Sequence, residues 1–168
     1  MTGLTLDTLN TPIGQIDVVT DALGRLRVLE FHDQPHRLAR ALRLHHRDQP
    51  VEPSKAPAAV RDGLAAYFAG DLPALKTVPW TIGGTGFQNQ MWHALAEIPP
   101  GETTTYARLA ERLGRPSAMR AVGAANGANP IAIVVPCHRV IGTGGSLTGY
   151  GGGVERKRWL LAHEGVSS

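Results

Sequence analysis

Thr103-Thr-Thr-Tyr-Ala-Arg-Leu-Ala-Glu-Arg-Leu-Gly-Arg-Pro-Ser-Ala-Met-Arg-Ala-Val-Gly-Ala-Ala-Asn126 reads as two short helices joined by a tight turn. The first is expected over Thr103–Leu113, with threonine caps at its start and Gly114 as its stop. Pro116-Ser117 opens the second, Ala118–Asn126, with Ser117 as the expected N-cap. Two short helices around a glycine-containing turn outline a helix-turn-helix. The second helix is unusually smooth. Ala121, Gly123, Ala124, Ala125 and Gly127 surround a single Arg120. Such a surface suits close approach to a narrow groove, or else tight packing against another helix. Arg120, the basic half of the chain and the helix-turn-helix lie together, which favours DNA.

Downstream lies Ile131-Ala-Ile-Val-Val-Pro-Cys-His-Arg-Val140, which contains the only cysteine of the chain. Residues 131–135 read as an apolar strand feeding a turn at Pro136. Cys137 is either a buried small hydrophobe or a functional thiol. A neighbouring imidazole lowers the cost of a thiolate, but adjacent side chains on a strand point apart. On a turn, Cys137 and His138 could converge directly or through a water. Gly142–Gly153 follows, with seven glycines in twelve positions. It lacks the Gly-Lys-Ser/Thr ending of a phosphate loop and does not fit a dinucleotide fingerprint. The embedded Tyr150 argues against a plain linker. Val154–Glu164 closes the chain as an amphipathic helix.

Upstream, Gly14–Thr20 and Arg25–Phe31 alternate like strands around the turn-prone Asp21-Ala-Leu-Gly24 and predict a hairpin. Residues 35–47 form an Arg-rich, exposed helix. Gln49–Pro57 is proline-rich and reads as a loop. Ala58–Ala69 is a helix with Val60, Leu64, Tyr67 and Phe68 on one stripe and Gly70 as its stop. Residues 71–83 are a connector, and Phe87–Ile98 is a further helix ended by Pro99-Pro100-Gly101. The expected fold class is α+β. A small N-terminal α+β domain with a β-hairpin or sheet spans 1–83. A mainly helical, winged-helix-like domain carrying the helix-turn-helix spans 84–168.

Composition narrows the function classes. The chain has 168 residues, 42% hydrophobic and 18% charged, as in ordinary globular proteins. One cysteine forms no intramolecular disulfide, which suits a reducing compartment. The seven histidines hold no His-Glu-x-x-His pattern, so no metal is expected. No signal peptide or membrane-length apolar run is visible, and a cytoplasmic location without membrane attachment is expected. Residues 84–168 hold eight basic against five acidic side chains, so the whole net charge of +3 lies in the half with the cysteine. That is compatible with a polyanionic partner or with a solvated face.

Taken together these pieces resemble the O6-alkylguanine-DNA alkyltransferases. The resemblance rests on Pro136-Cys-His-Arg-Val140, Asn129-Pro130, Arg120-Ala-Val-Gly123, Leu147-Thr-Gly-Tyr-Gly-Gly-Gly153 and Trp159-Leu-Leu-Ala-His-Glu164. It is strong over 84–168 and looser upstream, through Thr11-Pro-Ile-Gly14 and Tyr67-Phe-Ala-Gly70. It implies direct-reversal repair. The alkyl group of O6-alkylguanine, with O4-alkylthymine as a second candidate, passes from a flipped nucleotide to Cys137 in one irreversible turnover. No cofactor is implied. The implied partner is double-stranded DNA containing O6-alkylguanine, bound by a monomer.

By the same resemblance, the thiol is activated through water by His138, which Glu164 orients, and Asn129 braces the turn. Tyr106 assists nucleotide rotation and lines the guanine pocket. Val140, Tyr150, Gly151 and Asn126 complete that pocket, while Arg120 enters the minor groove with Ser117, Ala121, Ala124, Ala125 and Gly127 beside it. Arg139 serves structure or phosphate contact. Asn126, Ala132 and Thr148 stand at pocket positions that vary in the family, which predicts slower reaction with a benzyl than with a methyl adduct. The main rival is an alkyltransferase-like damage sensor, which flips the base without transfer; such proteins lack the cysteine. A Cys-His hydrolase or a major-groove regulator fits less well, for want of an oxyanion-hole signature and of large recognition side chains.

Overall fold

The computed structural model describes residues 3–147 and 149–166. Contacts divide the chain into two compact units, Met1–Gly83 and Gly84–Ser168. The α+β class expected from the sequence is what the chain adopts.

In the first unit, β1 (Leu4–Leu9), β2 (Ile16–Thr20), β3 (Leu26–Phe31) and β4 (Val51–Pro53) form one sheet in the order β3-β2-β1-β4. The β2–β3 hairpin is antiparallel, and its turn is built by Asp21. That carboxylate accepts from the backbone N–H of Leu23 and Arg25 and from Arg25 Nε. Leu6, Val19 and Val28 stand opposite one another across three strands. The apolar stripe of α1 (Pro35–His46), Leu38, Ala41 and Leu42, covers that row. β2 is buried at every position, so the sheet is covered on both faces. The proline-rich stretch is not simply a loop. Val51–Pro53 pairs in parallel with Leu4–Leu6 at the sheet edge, where proline is tolerated. α2 (Ala58–Phe68) follows, then a 3-10 turn at Leu72–Thr77. The connector lies close against α2 because Gly63 has no side chain; a Cβ there would meet Val78 Cγ2 at 2.6 Å.

The second unit begins with α3 (Gly86–Ala96), started by a capping box between Thr85 and Gln88. Its face of Met91, Trp92, Ala94 and Leu95 is buried. β5 (Thr104–Thr105) precedes α4 (Tyr106–Arg112), and α5 is Met119–Gly127. A 3-10 turn at Cys137–Arg139 leads into β6 (Val140–Ile141), a second 3-10 turn occupies Thr143–Gly145, and α6 is Val154–His163. No described helix is long and apolar enough to cross a membrane.

Four local expectations are corrected. Thr103–Thr105 is not helical, because Thr104 and Thr105 pair in parallel with Val140 and Ile141; Thr105 then caps α4 by accepting from the Arg108 N–H. Ser117 does not cap α5. Ala118 holds that position, with no side-chain cap hydrogen bond. Ala125 does not belong to the smooth outer face: it is buried, and its carbonyl accepts from Trp92 Nε1 at 2.8 Å, which ties α5 to α3. Residues 131–135 form a compact turn in place of a strand, closed by Val135 N–H donating to the Ile131 carbonyl at 3.0 Å.

Candidate active site

The turn before Cys137 is held by one side chain. Asn129, buried, donates from Nδ2 to the Val135 carbonyl at 2.7 Å and to that of Ile131 at 3.4 Å, while its Oδ1 accepts from the Ile131 N–H at 3.0 Å. Between these anchors Ile133 adopts φ 72°, a left-handed conformation costly for a β-branched residue. The Cys137 N–H donates to the same Val135 carbonyl at 2.8 Å. Asn126 donates to the Cys137 carbonyl at 3.4 Å. Two asparagines from the end of α5 and just beyond it thus bracket the backbone on which the thiol rides.

Cys137, His138 and Arg139 are all buried in the 3-10 turn. His138 Nε2 lies 2.9 Å from Glu164 Oε2, just past α6. The same carboxylate accepts from Arg139 Nε and Nη2, each at 2.8 Å, while Arg139 Nη1 donates to the Ile98 carbonyl at 2.5 Å. Burial alone would raise the Glu164 pKa, but the hydrogen bonds from Arg139 and His138 outweigh it and hold the carboxyl well below its usual range. Burial lowers the His138 pKa, against the pull of Glu164 and with help from the Arg139 and Lys157 charges. An ionised carboxylate can only accept, so the network assigns the imidazole proton to Nε2 and a lone pair to Nδ1. That buried Nδ1 has no hydrogen-bond partner among the described residues. It is a base with its proton site open, backed by a fixed negative charge.

A residue the sequence reading passed over completes the electrostatics. Lys157 of α6 is fully buried, and its Nζ donates to the Val140 carbonyl at 2.6 Å. Burial lowers its pKa, and the Cys137 charge acts in the opposite sense, which sets the ammonium within electrostatic reach of the sulfur. The signal was present in the sequence. Lys157, Leu160, Leu161 and Glu164 share one helical stripe, and a lysine within an apolar stripe needs a partner.

The chain is 53% identical over 157 residues to the methylated-DNA–protein-cysteine methyltransferase of Salmonella typhimurium, an alignment covering 92% of each chain. The crystal structure of Mycobacterium tuberculosis O6-methylguanine methyltransferase is similar at 42% identity and TM-score 0.79, over 96% of this chain and 92% of the other. The same mycobacterial protein solved in complex with DNA matches at 41% identity and TM-score 0.79, over 95% and 92%. Residues 86–166 match the family described as 6-O-methylguanine DNA methyltransferase, DNA binding domain. This chain belongs to the methylated-DNA–protein-cysteine methyltransferase family.

Within this methyltransferase, the remaining sequence-selected residues lie around the turn in distinct settings. Tyr106 opens α4 half-buried, and its ring edge lies 4.0 Å from where a Cβ on Gly123 would stand, so the smooth face of α5 admits that ring. Tyr150 meets the His138 ring edge-on at 6.5 Å. Val140 is buried and Gly151 half-buried. Arg120, Ser117, Ala121, Ala124 and Gly127 are exposed on and before α5, whereas Ala125 and Asn126 are not. Asn126 Oδ1 is buried with no hydrogen-bond partner among the described residues. Ala132 is buried; Thr148 lies outside the described residues. Arg139 is buried and committed to Glu164 and the Ile98 carbonyl. No group of three His, Cys, Asp or Glu among the described residues is placed to hold a metal ion.

Proposed function

We propose that this methyltransferase repairs O6-alkylguanine in duplex DNA by direct reversal, with Cys137 as both nucleophile and final acceptor. The observation that carries this reading is the buried run Cys137-His138-Arg139, in which an open imidazole Nδ1 is backed by a carboxylate already held ionised. The exposed, small-residue face of α5 supports approach to the minor groove, with Arg120 entering the base stack as the damaged nucleotide is extruded. Tyr106 and Tyr150 line the pocket that receives the base, with Val140, Gly151 and Asn126 beside them.

His138 Nδ1 takes the thiol proton through a water, and Glu164 stabilises the imidazolium that results. Lys157 favours the thiolate by opposing its charge. The sulfur then attacks the alkyl carbon in line. The S–C bond forms as the C–O6 bond breaks, the electron pair remains on the base, and the proton first taken from sulfur is returned overall to the restored guanine. A thioether offers water no carbonyl to attack, so the protein is consumed.

The test titrates the protein into duplex bearing one O6-methylguanine and counts restored guanine after digestion of the DNA. A plateau at one base per protein chain is expected. Repeated turnover, or binding without restoration as in a damage sensor, would overturn the reading.

A further inference from the structure

Helix α1 carries a charge pattern that the active site does not use. His36, Arg40, Arg43 and Arg47 recur at i, i+4, i+7 and i+11, which places them on one face, and all four are exposed. No acidic residue lies between Asp33 and Asp48. Arg37, off this stripe, is committed to buried Glu30 at 2.7 Å. Arg40, Arg43 and Arg47 form no ion pair among the described residues. The last of them is fixed by backbone geometry: Arg47 closes the helix at φ 50°, its N–H donating to the Leu42 carbonyl.

Helix stability does not account for the pattern. Cations favour the last turn of a helix, but His36 and Arg37 lie in the first turn, where the dipole opposes them, and Arg40 lies mid-helix. Like charges at i,i+3 and i,i+4 also repel one another by a few tenths of a kcal/mol per pair. The neighbourhood is positive as well. His46 is pushed down to about 4, first by burial and then by the charges of Arg27 and His45, with only Asp21 opposing. A self-repelling stripe of this kind is relieved by a polyanion. From His36 to Arg47 it runs about 16 Å along the axis, a length over which one strand of duplex DNA presents roughly five phosphates. Guanidinium forks match phosphate oxygens.

We propose that the outer face of α1 is a second DNA contact, with Arg40, Arg43 and Arg47 gripping backbone phosphates without reading bases. The N-terminal unit, neutral in net charge, would thereby add sequence-independent affinity to what α5 supplies. The proposal rests on the reading of this chain as a DNA-repair methyltransferase, but its test separates the two.

The test compares the unaltered protein with the triple variant R40Q/R43Q/R47Q, and with R40K/R43K/R47K, on a long undamaged duplex over a range of salt. In the glutamine variant the slope of log K against log salt should fall by about one for each arginine lost, roughly three in all. The lysine variant should keep most of the slope. Both should melt no lower than the unaltered protein, the glutamine variant slightly higher as the repulsion is relieved, and both should transfer the alkyl group from a free O6-alkylguanine base at its rate. An unchanged slope in the glutamine variant would overturn the proposal and would also be the result if this face binds an acidic protein. Failure of the unaltered protein to take up the alkyl group would count against the repair reading instead.

Discussion

Replacing Glu164 with glutamine removes one charge and almost no volume from the buried turn, so its effects isolate electrostatics from packing. The carboxylate accepts three hydrogen bonds, from His138 Nε2 and from Arg139 Nε and Nη2. An amide has one accepting oxygen and an NH2 that can only donate. At least one of the three donors must then face another donor, and Arg139, 4% exposed, is left as a buried cation without its counter-charge. Removing one partner of a buried pair costs about 3–5 kcal/mol, roughly a fifth or more of the stability of an ordinary domain. If the amide turns its NH2 toward the imidazole, Nε2 must accept, so the His138 proton shifts to Nδ1 and the lone pair that receives the thiol proton is lost. The analogous aspartate-to-asparagine change in serine proteases costs about 10⁴-fold through the wrong tautomer, and positioned acid–base catalysis in general contributes about 10²–10⁴-fold. E164Q should therefore react with a methylated duplex at least about a hundredfold more slowly at neutral pH, measured as a second-order rate under conditions where the variant remains folded by near-ultraviolet dichroism. The variant should recover part of the loss at high pH, where the thiol ionises without help. A folded E164Q that reacts at nearly the unaltered rate at neutral pH would refute the scheme in which Glu164 sets the His138 tautomer.

Lys157→Met keeps the stem and removes the charge, so the midpoint of the pH–rate profile should rise by about one unit, equivalent to roughly tenfold slower reaction below it; an unmoved midpoint would show that the ammonium does not act on the sulfur. Burial pushes Glu30 up to about 7 despite its pair with Arg37. The folded chain then holds a proton there that the unfolded chain releases near 4.5, so stability from this group is present below 4.5 and is lost as pH rises through 7. E30Q should remove that decline, on the order of 3 kcal/mol, from urea midpoints measured across the window, and an unaltered pH slope would contradict it. Glu164 has the opposite sign: its depressed pKa stabilises the fold above 4.5, and this is lost as pH falls. Duplex carrying O6-benzylguanine should inactivate the protein more slowly than O6-methylguanine, a difference that equal rates would disprove.

Much of this arrangement was legible in the sequence, and the failures share a physical cause. The hairpin, α1, α2 and α3 follow from local periodicity and turn residues, because each buries a stripe that its own sequence defines. Leu4–Leu9 also alternates in part, but its neighbours in the sheet, β2 and β4, are set by long-range pairing that no local pattern reveals. Thr104 and Thr105 are drawn out of the expected helix by two residues thirty-six positions away. The apolar run 131–135 has every local mark of a strand. It folds as a turn because Asn129 satisfies its backbone groups from the side and over-determines the left-handed Ile133. Cys137, His138 and Glu164 can be picked out through family resemblance, and the place of Lys157 on the stripe of Leu160, Leu161 and Glu164 hints at its burial, whereas the grip of Arg139 on Glu164 is visible only in three dimensions. A helical wheel of alanines and glycines does not say which alanine faces the core; at Ala125 Trp92 decides it.

The central claim is that Cys137 itself keeps the alkyl group. Intact mass spectrometry after incubation with a duplex holding one O6-methylguanine, followed by peptide mapping, tests it directly. The account predicts a stoichiometric gain of about 14 Da, S–H replaced by S–CH3, located on the peptide containing Cys137 and absent from Cys137→Ser. An unchanged mass with a tightly bound damaged duplex, or a methyl group found on any other residue, would contradict it.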